Sequence, residues 1–331
     1  MSKFKPPHKF KDNIYKKIFG DSQLFLEFLE NFISIDILKN LTADSIEDIT
    51  ERFLPLFSDN KDSDTVKKIS LDESEKLYVI SIVEHESEVN YSSSFKMLNY
   101  ISYVLLDYVK ENDTKYKKEV KEQGKTKLKL STWKEFKYPP VLPIVFYDGT
   151  DEWTSERNFF DKTDKNRIFE KYIPKFEYEL VDLNDYSQRD LVAFNNALSL
   201  LLIVDKVKRP EDIKSFKELP EGFIESMAKT VPEPFLVIFR DCVELLLRKI
   251  NVPKEEIERV TEKIYERRFS SMFDLMEGYD VQATRREVRR EERKKALEEK
   301  LETARSLLSV LDAETIAEKF KMTVEEVEKL K

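Results

Sequence analysis

The sequence predicts a mixed α/β domain followed by an all-helical segment. Three observations lead there. Apolar residues recur at helical spacing near the start, two apolar runs suited to strands flank a polar turn around Ser74, and every periodic stretch from Lys214 onward is helical.

The elements follow in order. After Pro6-Pro7, residues Lys11 to Phe32 place Ile14, Ile18, Phe19, Leu24, Phe25, Phe28, Leu29 and Phe32 on an amphipathic face. Gly20 followed by Asp21-Ser22 reads as a stop and a new cap, so two helices are expected. Asp44 or Ser45 is expected to cap a further short helix ending near Arg52. From Asp64 the pattern changes to two strands, Thr65 to Leu71 and Leu77 to Val83, joined by polar residues. Phe95, Leu98, Ile101, Leu105 and Val109 return to helical spacing, and a Lys-rich loop, Lys115 to Lys137, follows. Pro139-Pro140 opens the apolar run Val141 to Tyr147, a buried strand closed by Asp148-Gly149. Phe176 to Leu183 reads as another strand. Ser187 with Asp190 three positions on starts a helix through Val207.

The expected organisation is thus residues 1–209 as the α/β domain, 210–282 as a helical region, and 283–331 as a charged helix with a terminal helical hairpin. In the last part Arg and Lys alternate with Glu from Thr284 to Val310, a pattern suited to an exposed helix. The terminal hairpin, with Thr323 and Glu326 as a capping pair, has a helix-turn-helix outline. Its second helix would offer Glu325, Glu326 and Glu328 to DNA, which phosphate repulsion disfavours, so packing or homo-oligomer formation through the C-terminal helices is the expected role.

Composition narrows the chemistry. With 331 residues, 40% hydrophobic and 37% charged, the chain is long enough for a substantial core and too charged to be a membrane bundle. The longest apolar runs, Leu198 to Val204 and Val141 to Tyr147, fall far short of a span, so no membrane partner is expected. The opening MSKFKPPHKFKDN lacks an apolar stretch, which with the single Cys242 points to the cytoplasm. Only His8 and His85 supply imidazole, so a zinc cage is excluded and a bound metal would be a hard cation, magnesium or manganese, on carboxylates. Five glycines cannot assemble a phosphate loop or a dinucleotide fingerprint. The net charge of −8 opposes bulk attraction to nucleic acid and leaves only local basic patches for that role.

Carboxylates concentrate at one place. Asp64 and Glu84 stand symmetrically about Ser74, so an antiparallel hairpin sets them opposite each other. Glu86 shares the face of Glu84, and Asp62 would oppose it. Like charges this close resist joint ionisation unless a cation such as magnesium joins them. Chance clustering at an exposed strand end is the competing explanation, since the chain has 65 acidic residues. His85 falls on the other strand face and reads as a packing residue.

The blocks KFKDNIYKKIFGD, SDTVKKI, YVISIVEHESEVNYSSSFKMLNYI and PPVLPIVFYDGTDEW occur in an order that resembles the Rpn family of recombination-promoting nucleases, the YhgA-like transposases. The most specific parts are EHES followed by FKMLNY, then the strand ending in Tyr147, Asp148 and Gly149, with Trp153 beyond. The resemblance implies a PD-(D/E)XK core, that is, a restriction-endonuclease-like mixed sheet flanked by helices. It also implies magnesium-dependent hydrolysis of DNA phosphodiesters in recombination or transposition of mobile elements, with double-stranded DNA as partner. By the same resemblance Asp64 is the metal-binding aspartate and Glu84 the acidic residue of the next strand. Glu86 stands where the superfamily usually has Lys and the family Gln, adding a negative charge and removing a donor. Lys96, expected about three turns into the following helix where the family usually has Arg, and Lys68, which shares strand parity with Asp64, are candidates to neutralise phosphorane charge. Asp12 matches a frequent family aspartate and reads equally as a helix cap. Lys125, Lys127 and Lys129 of the Lys-rich loop are candidate nucleic-acid contacts, with solvated disorder an equal alternative. The rival to a working endonuclease is a catalytically weakened nuclease fold acting as a DNA-binding or self-associating scaffold.

Overall fold

Two apolar surfaces, one from the first helices and one from the long third helix, enclose a single sheet. The computed structural model describes residues 8–39, 41–53, 65–71, 78–122, 136–278, 299–308, 311–320 and 322–328. Within these, the side chains of 8–13, 37, 78–85, 114–122, 210–211, 277–278, 318 and 326 lie outside the description. The chain divides into two compact units, Met1–Asp274 and Leu275–Lys331.

The first unit opens with α1 (His8–Gly20) and α2 (Ser22–Phe32). Asp21 caps α2 as expected, its carboxylate accepting from the Gln23 and Leu24 amides at 3.0 and 2.9 Å. The expected short helix after Asp44 is instead a single 3-10 turn (Ala43–Ser45), a strand β1 (Ile46–Asp48) and a second 3-10 turn (Thr50–Arg52). Edge pairing decides this: Ile46, Glu47 and Asp48 align antiparallel with Ile69, Lys68 and Lys67 of β2 (Thr65–Ser70). A ladder three residues long outweighs a local cap signal once a partner strand is present.

The sheet has strand order β1-β2-β3-β4-β5. The strands β3 (Tyr78–Glu86), β4 (Val141–Tyr147) and β5 (Glu179–Asp182) complete it. β1, β2 and β3 pair antiparallel, while β3, β4 and β5 pair parallel. A parallel pair needs a crossover, and α3 (Ser93–Glu122) supplies it. α3 runs well past the Val109 that the periodicity reached, so the Lys-rich stretch begins as helix rather than loop. The hairpin register, Thr65 to Val83 through Ser70 to Tyr78, is the one expected from symmetry about Ser74.

Alternate residues then face opposite layers. Phe146 packs against Tyr15, Phe19 and Phe28 of α1 and α2, with ring centroids 5.2, 5.5 and 6.1 Å away. On the other face Val66 and Val145 join Met97, Tyr100 and Val104 of α3 in one cluster with Tyr178. The helix expected from Ser187 to Val207 is broken into α4 (Gln188–Phe194) and α5 (Ala197–Asp205). Asn195 adopts a left-handed φ of 51° and Asn196 caps α5 by accepting from the Ser199 amide at 3.0 Å. Asn serves both roles because its short amide tolerates the left-handed region and bonds nearby backbone.

A 3-10 segment (Pro210–Glu218) leads into α6 (Glu221–Thr230), α7 (Glu233–Lys249), α8 (Lys254–Tyr265) and α9 (Phe269–Gly278). α7 packs on α1 and α5. The second unit, taken by itself, contains helical residues 299–307 (α10), α11 (Ala313–Phe320) and α12 (Val324–Glu328) around Ala304, Ile316, Ala317 and Val327. Residues 284–298 of the expected charged helix and the Glu326 side chain of the expected capping pair lie outside the described set. Among the described residues no helix is long and apolar enough to cross a membrane.

Lys67 is the least expected core member, its side chain wholly buried in β2. Its ammonium donates to the Gly20 carbonyl at 2.7 Å and to Asp48 Oδ2 at 3.0 Å, and lies 5.7 Å from the Phe25 ring. Burial lowers the Lys67 pKa, and Asp48 partly offsets that. Burial alone would raise Asp48, but hydrogen bonds from Thr50 and Lys67 hold its carboxyl below the usual value. Replacing Lys67 by Met leaves Asp48 and the Gly20 carbonyl without this donor, and urea unfolding is expected to show a loss of about 2 kcal/mol or more. Because Asp48 is depressed in the folded state, its contribution is present above the ordinary carboxylate range and lost as pH falls through its lowered value. Acid titration of wild type beside Asp48→Asn reads that difference.

Candidate functional site

The carboxyl end of β3 is where charge gathers. Glu84 and Glu86 alternate with His85, and in the parallel ladder they align with Val145 and Tyr147 of β4. Val145 belongs to the cluster on the α3 face, and the Tyr147 ring meets Trp153 at 5.0 Å on that same side. By strand alternation Glu84 and Glu86 share this face.

Directly after β3 the chain turns into α3, and Asn90 makes the turn. Its amide oxygen accepts from the Ser92 amide at 3.0 Å and the Ser92 hydroxyl at 2.7 Å. Its carbonyl accepts from the Ser93 hydroxyl at 2.9 Å. Its remaining group, Nδ2, donates to Glu86 Oε1 at 2.8 Å. One residue therefore fixes both the start of α3 and the orientation of the Glu86 carboxylate. Asn at this position reads from sequence as a turn residue; its second task requires the fold.

β4 carries the ladder onward, with the Asp148 amide donating to the Glu86 carbonyl at 3.1 Å. The next residue must be small. A Cβ at Gly149 would lie 2.2 Å from the Tyr147 hydroxyl, which itself donates to the Asp151 carbonyl at 2.8 Å.

On the opposite face of the sheet, Asp148 enters a buried polar chain. Its carboxylate, with no exposed surface, sits 3.6 Å from the Lys208 ammonium. Lys208 donates to Asp205 Oδ2 at 3.0 Å, and the Tyr15 hydroxyl donates to the same oxygen at 2.8 Å. Burial and then the Asp205 charge push the Tyr15 phenol well above its usual value. Lys249, half-buried nearby, is pushed down by burial and by the Lys208 charge. The chain ties α1, the end of α5 and the end of β4 together directly behind the Glu86 strand position. Sequence patterning could not find it, since its members come from three distant segments.

The other expected site residues fall as follows. Asp64 lies outside the described residues, and Glu84 is described as backbone only. Lys96 is on α3 but in its first turn, not three turns in, because the helix begins at Ser93. Its side chain is half-buried and its amine lies 5.8 Å from the Tyr100 ring. Lys68 aligns with Ile80, four positions before Glu84 on β3, and its amine is 3.6 Å from Glu47 on β1. It is therefore about 13 Å from Glu84 along the strand direction. Lys125, Lys127 and Lys129, Asp62, and the side chains of Asp12 and His85 all lie outside the described set.

Only hard oxygen donors stand at alternate positions of this strand end, a donor chemistry that suits magnesium or manganese rather than zinc. Among the described residues no group of three or more His, Cys, Asp or Glu converges as a metal cage.

Residues 7–232 match the family described as "Putative transposase, YhgA-like". The chain belongs to this family. The YhgA-like match spans the whole sheet, the helices on both its faces and the Asp148–Lys208 chain. No curated protein and no solved structure gives a significant match.

In this YhgA-like protein, Lys208→Met would leave the Asp148 and Asp205 carboxylates without their shared cation in a buried setting. A loss of about 2–3 kcal/mol in denaturant unfolding is expected, whereas Lys229→Met, in an exposed pair with Glu225, should change stability by less than about 0.5 kcal/mol.

Proposed function

We propose that this protein is a metal-dependent DNA endonuclease with a restriction-endonuclease-like core, hydrolysing phosphodiester bonds in recombination or transposition of mobile elements. The observation that carries the reading is the β2–β3 register. It pairs Thr65 with Val83, the sequence neighbours of Asp64 and Glu84, whose carboxylates the family resemblance makes metal ligands. The strand order supports it as well: an antiparallel run of three strands, a crossover helix, and a parallel fourth strand.

In this reading Asp64, Glu84 and Glu86 would hold magnesium or manganese. When bound, the ion would polarise the phosphoryl oxygen and supply an activated water. The chain's own task is position and charge. Asn90 holds Glu86 by one oxygen and so fixes the direction of the carboxylate. Lys96, on the helix facing the same side of the sheet, would offset charge developing on the phosphorane. Lys68, with Lys125, Lys127 and Lys129, would attract the backbone of double-stranded DNA. Residues 210–282 would serve as a helical support, and residues 283–331 would mediate self-association of a cytoplasmic protein.

A second reading, a nuclease fold that binds DNA without cutting it, is favoured by Glu86 itself. Its carboxylate stands where the family usually has Gln and is already engaged by Asn90.

Plasmid nicking by the purified full chain with magnesium, manganese or EDTA separates the two. The nuclease reading expects metal-dependent nicking that falls at least about a hundredfold in Asp64→Ala and in Glu84→Ala, with both variants folded by circular dichroism. Intact plasmid with every metal, from a protein that still retards DNA on a gel, would establish the second reading.

A further inference from the structure

Among the described residues beside the candidate site, the segment from Trp153 to Phe176 is a long stretch with little regular structure beyond a 3-10 turn (Glu170–Tyr172), and it is well anchored. Tyr91, at the start of α3, hydrogen-bonds Thr154 at 2.9 Å, and the Lys162 amine lies 5.5 Å from the Tyr91 ring. Phe159 packs between Phe95 of α3 at 6.5 Å and Phe176 at 6.1 Å, nearly parallel to the latter. Asn166 Nδ2 donates to the Phe160 carbonyl at 3.1 Å, and the Ile168 and Phe169 amides both donate to the Lys165 carbonyl, at 3.0 and 3.2 Å.

On this fixed base stand three apolar side chains with little cover: Ile168 is 75% exposed, Phe169 50% and Tyr172 71%. A folded protein does not gain from presenting this much contiguous apolar surface to water. Cations surround them. Lys165, Arg167 and Lys171 are exposed and have no carboxylate partner among the described residues, and the Lys171 amine lies 4.8 Å from the Tyr172 ring. The only acid between 165 and 175, Glu170, is paired with Lys175.

We propose that residues 165–172 form a stacking platform for unpaired bases, so that the preferred substrate carries a single-stranded segment next to the position cut. The inference rests on the nuclease reading for its cutting step but not for its binding step. Exposed rings in a positive field match the two parts of a single strand, π-faces and phosphates, together. Duplex DNA hides its base faces and would use the cations alone. A second copy of the chain would meet like charge with like charge, and an anionic membrane, which also takes aromatic and cationic side chains, is set apart by the vesicle measurement below.

The test uses the full chain in EDTA, where no cleavage occurs, with fluorescein-labelled oligothymidylate and the matching duplex with oligoadenylate. Anisotropy is expected to show that Phe169→Ala with Tyr172→Ala weakens single-strand binding by roughly tenfold to a hundredfold. Duplex binding should change less than about twofold in the same variant, and Tyr172→Phe should retain single-strand affinity. The thermal melt of the double variant should match wild type, because both rings are exposed.

Unchanged single-strand affinity in the double variant overturns the platform, as does an equal loss for duplex. A mass shift from dimer to monomer in that variant, or binding to anionic vesicles in place of the oligonucleotide, overturns it in favour of another occupant. Parallel nicking assays keep the two readings apart. A wild-type chain that binds the strand through these rings but never cuts overturns the nuclease reading alone; one that cuts while the double variant still binds overturns the platform alone.

Discussion

Everything at the candidate site depends on β3 being clamped on both sides by strands of opposite sense. β2 holds it antiparallel and β4 holds it parallel, so its register is fixed twice and a slip would have to break both ladders. A slip of one residue would also turn Glu84 and Glu86 into the aromatic layer around Phe146, where burial of two carboxylates is prohibitive. The position of the acidic strand end is thus set by the packing of Tyr15, Phe19 and Phe28 on one face and Met97, Tyr100 and Val104 on the other.

The two polar arrangements at this strand end differ in kind. Asn90 and Glu86 form a local link, made within one turn and suited to orienting a carboxylate. Asp148, Lys208, Asp205 and Tyr15 form a long-range link, which joins the end of β4 to helices on the far side of the sheet. The first gives direction to a side chain; the second prevents the sheet edge and the helical layer from moving independently.

The parts legible in the sequence were those with local signals. β4 stands between a Pro pair and Asp-Gly, and the hairpin register follows from the symmetric placement of polar residues around Ser74. β1 was hidden because three residues carry no periodicity, and Asp48 binds a lysine on a strand that comes after it. The break between α4 and α5 was hidden because Asn195-Asn196 lies within a continuous apolar pattern. At the site, the alternation of Glu84 and Glu86 could be read directly. The pairing of Lys68 with Glu47 could not, since it depends on the edge strand that patterning missed. The aromatic segment around Tyr172 gave no periodic signal at all, and its meaning comes only from exposure.

The closure of α1 bears on how the chain is made. Tyr15 meets Asp205 and Lys17 meets Asp241 at 2.7 Å, separations of 190 and 224 residues. At roughly 5–20 residues per second of synthesis, the first helix waits on the order of ten to forty-five seconds on the ribosome before its last partner is made. During that interval its apolar face, with Ile14 and Ile18, has no native cover from α7. This geometry leaves that face uncovered until the α7 segment carrying Asp241 has been made, an interval that falls during synthesis rather than after release.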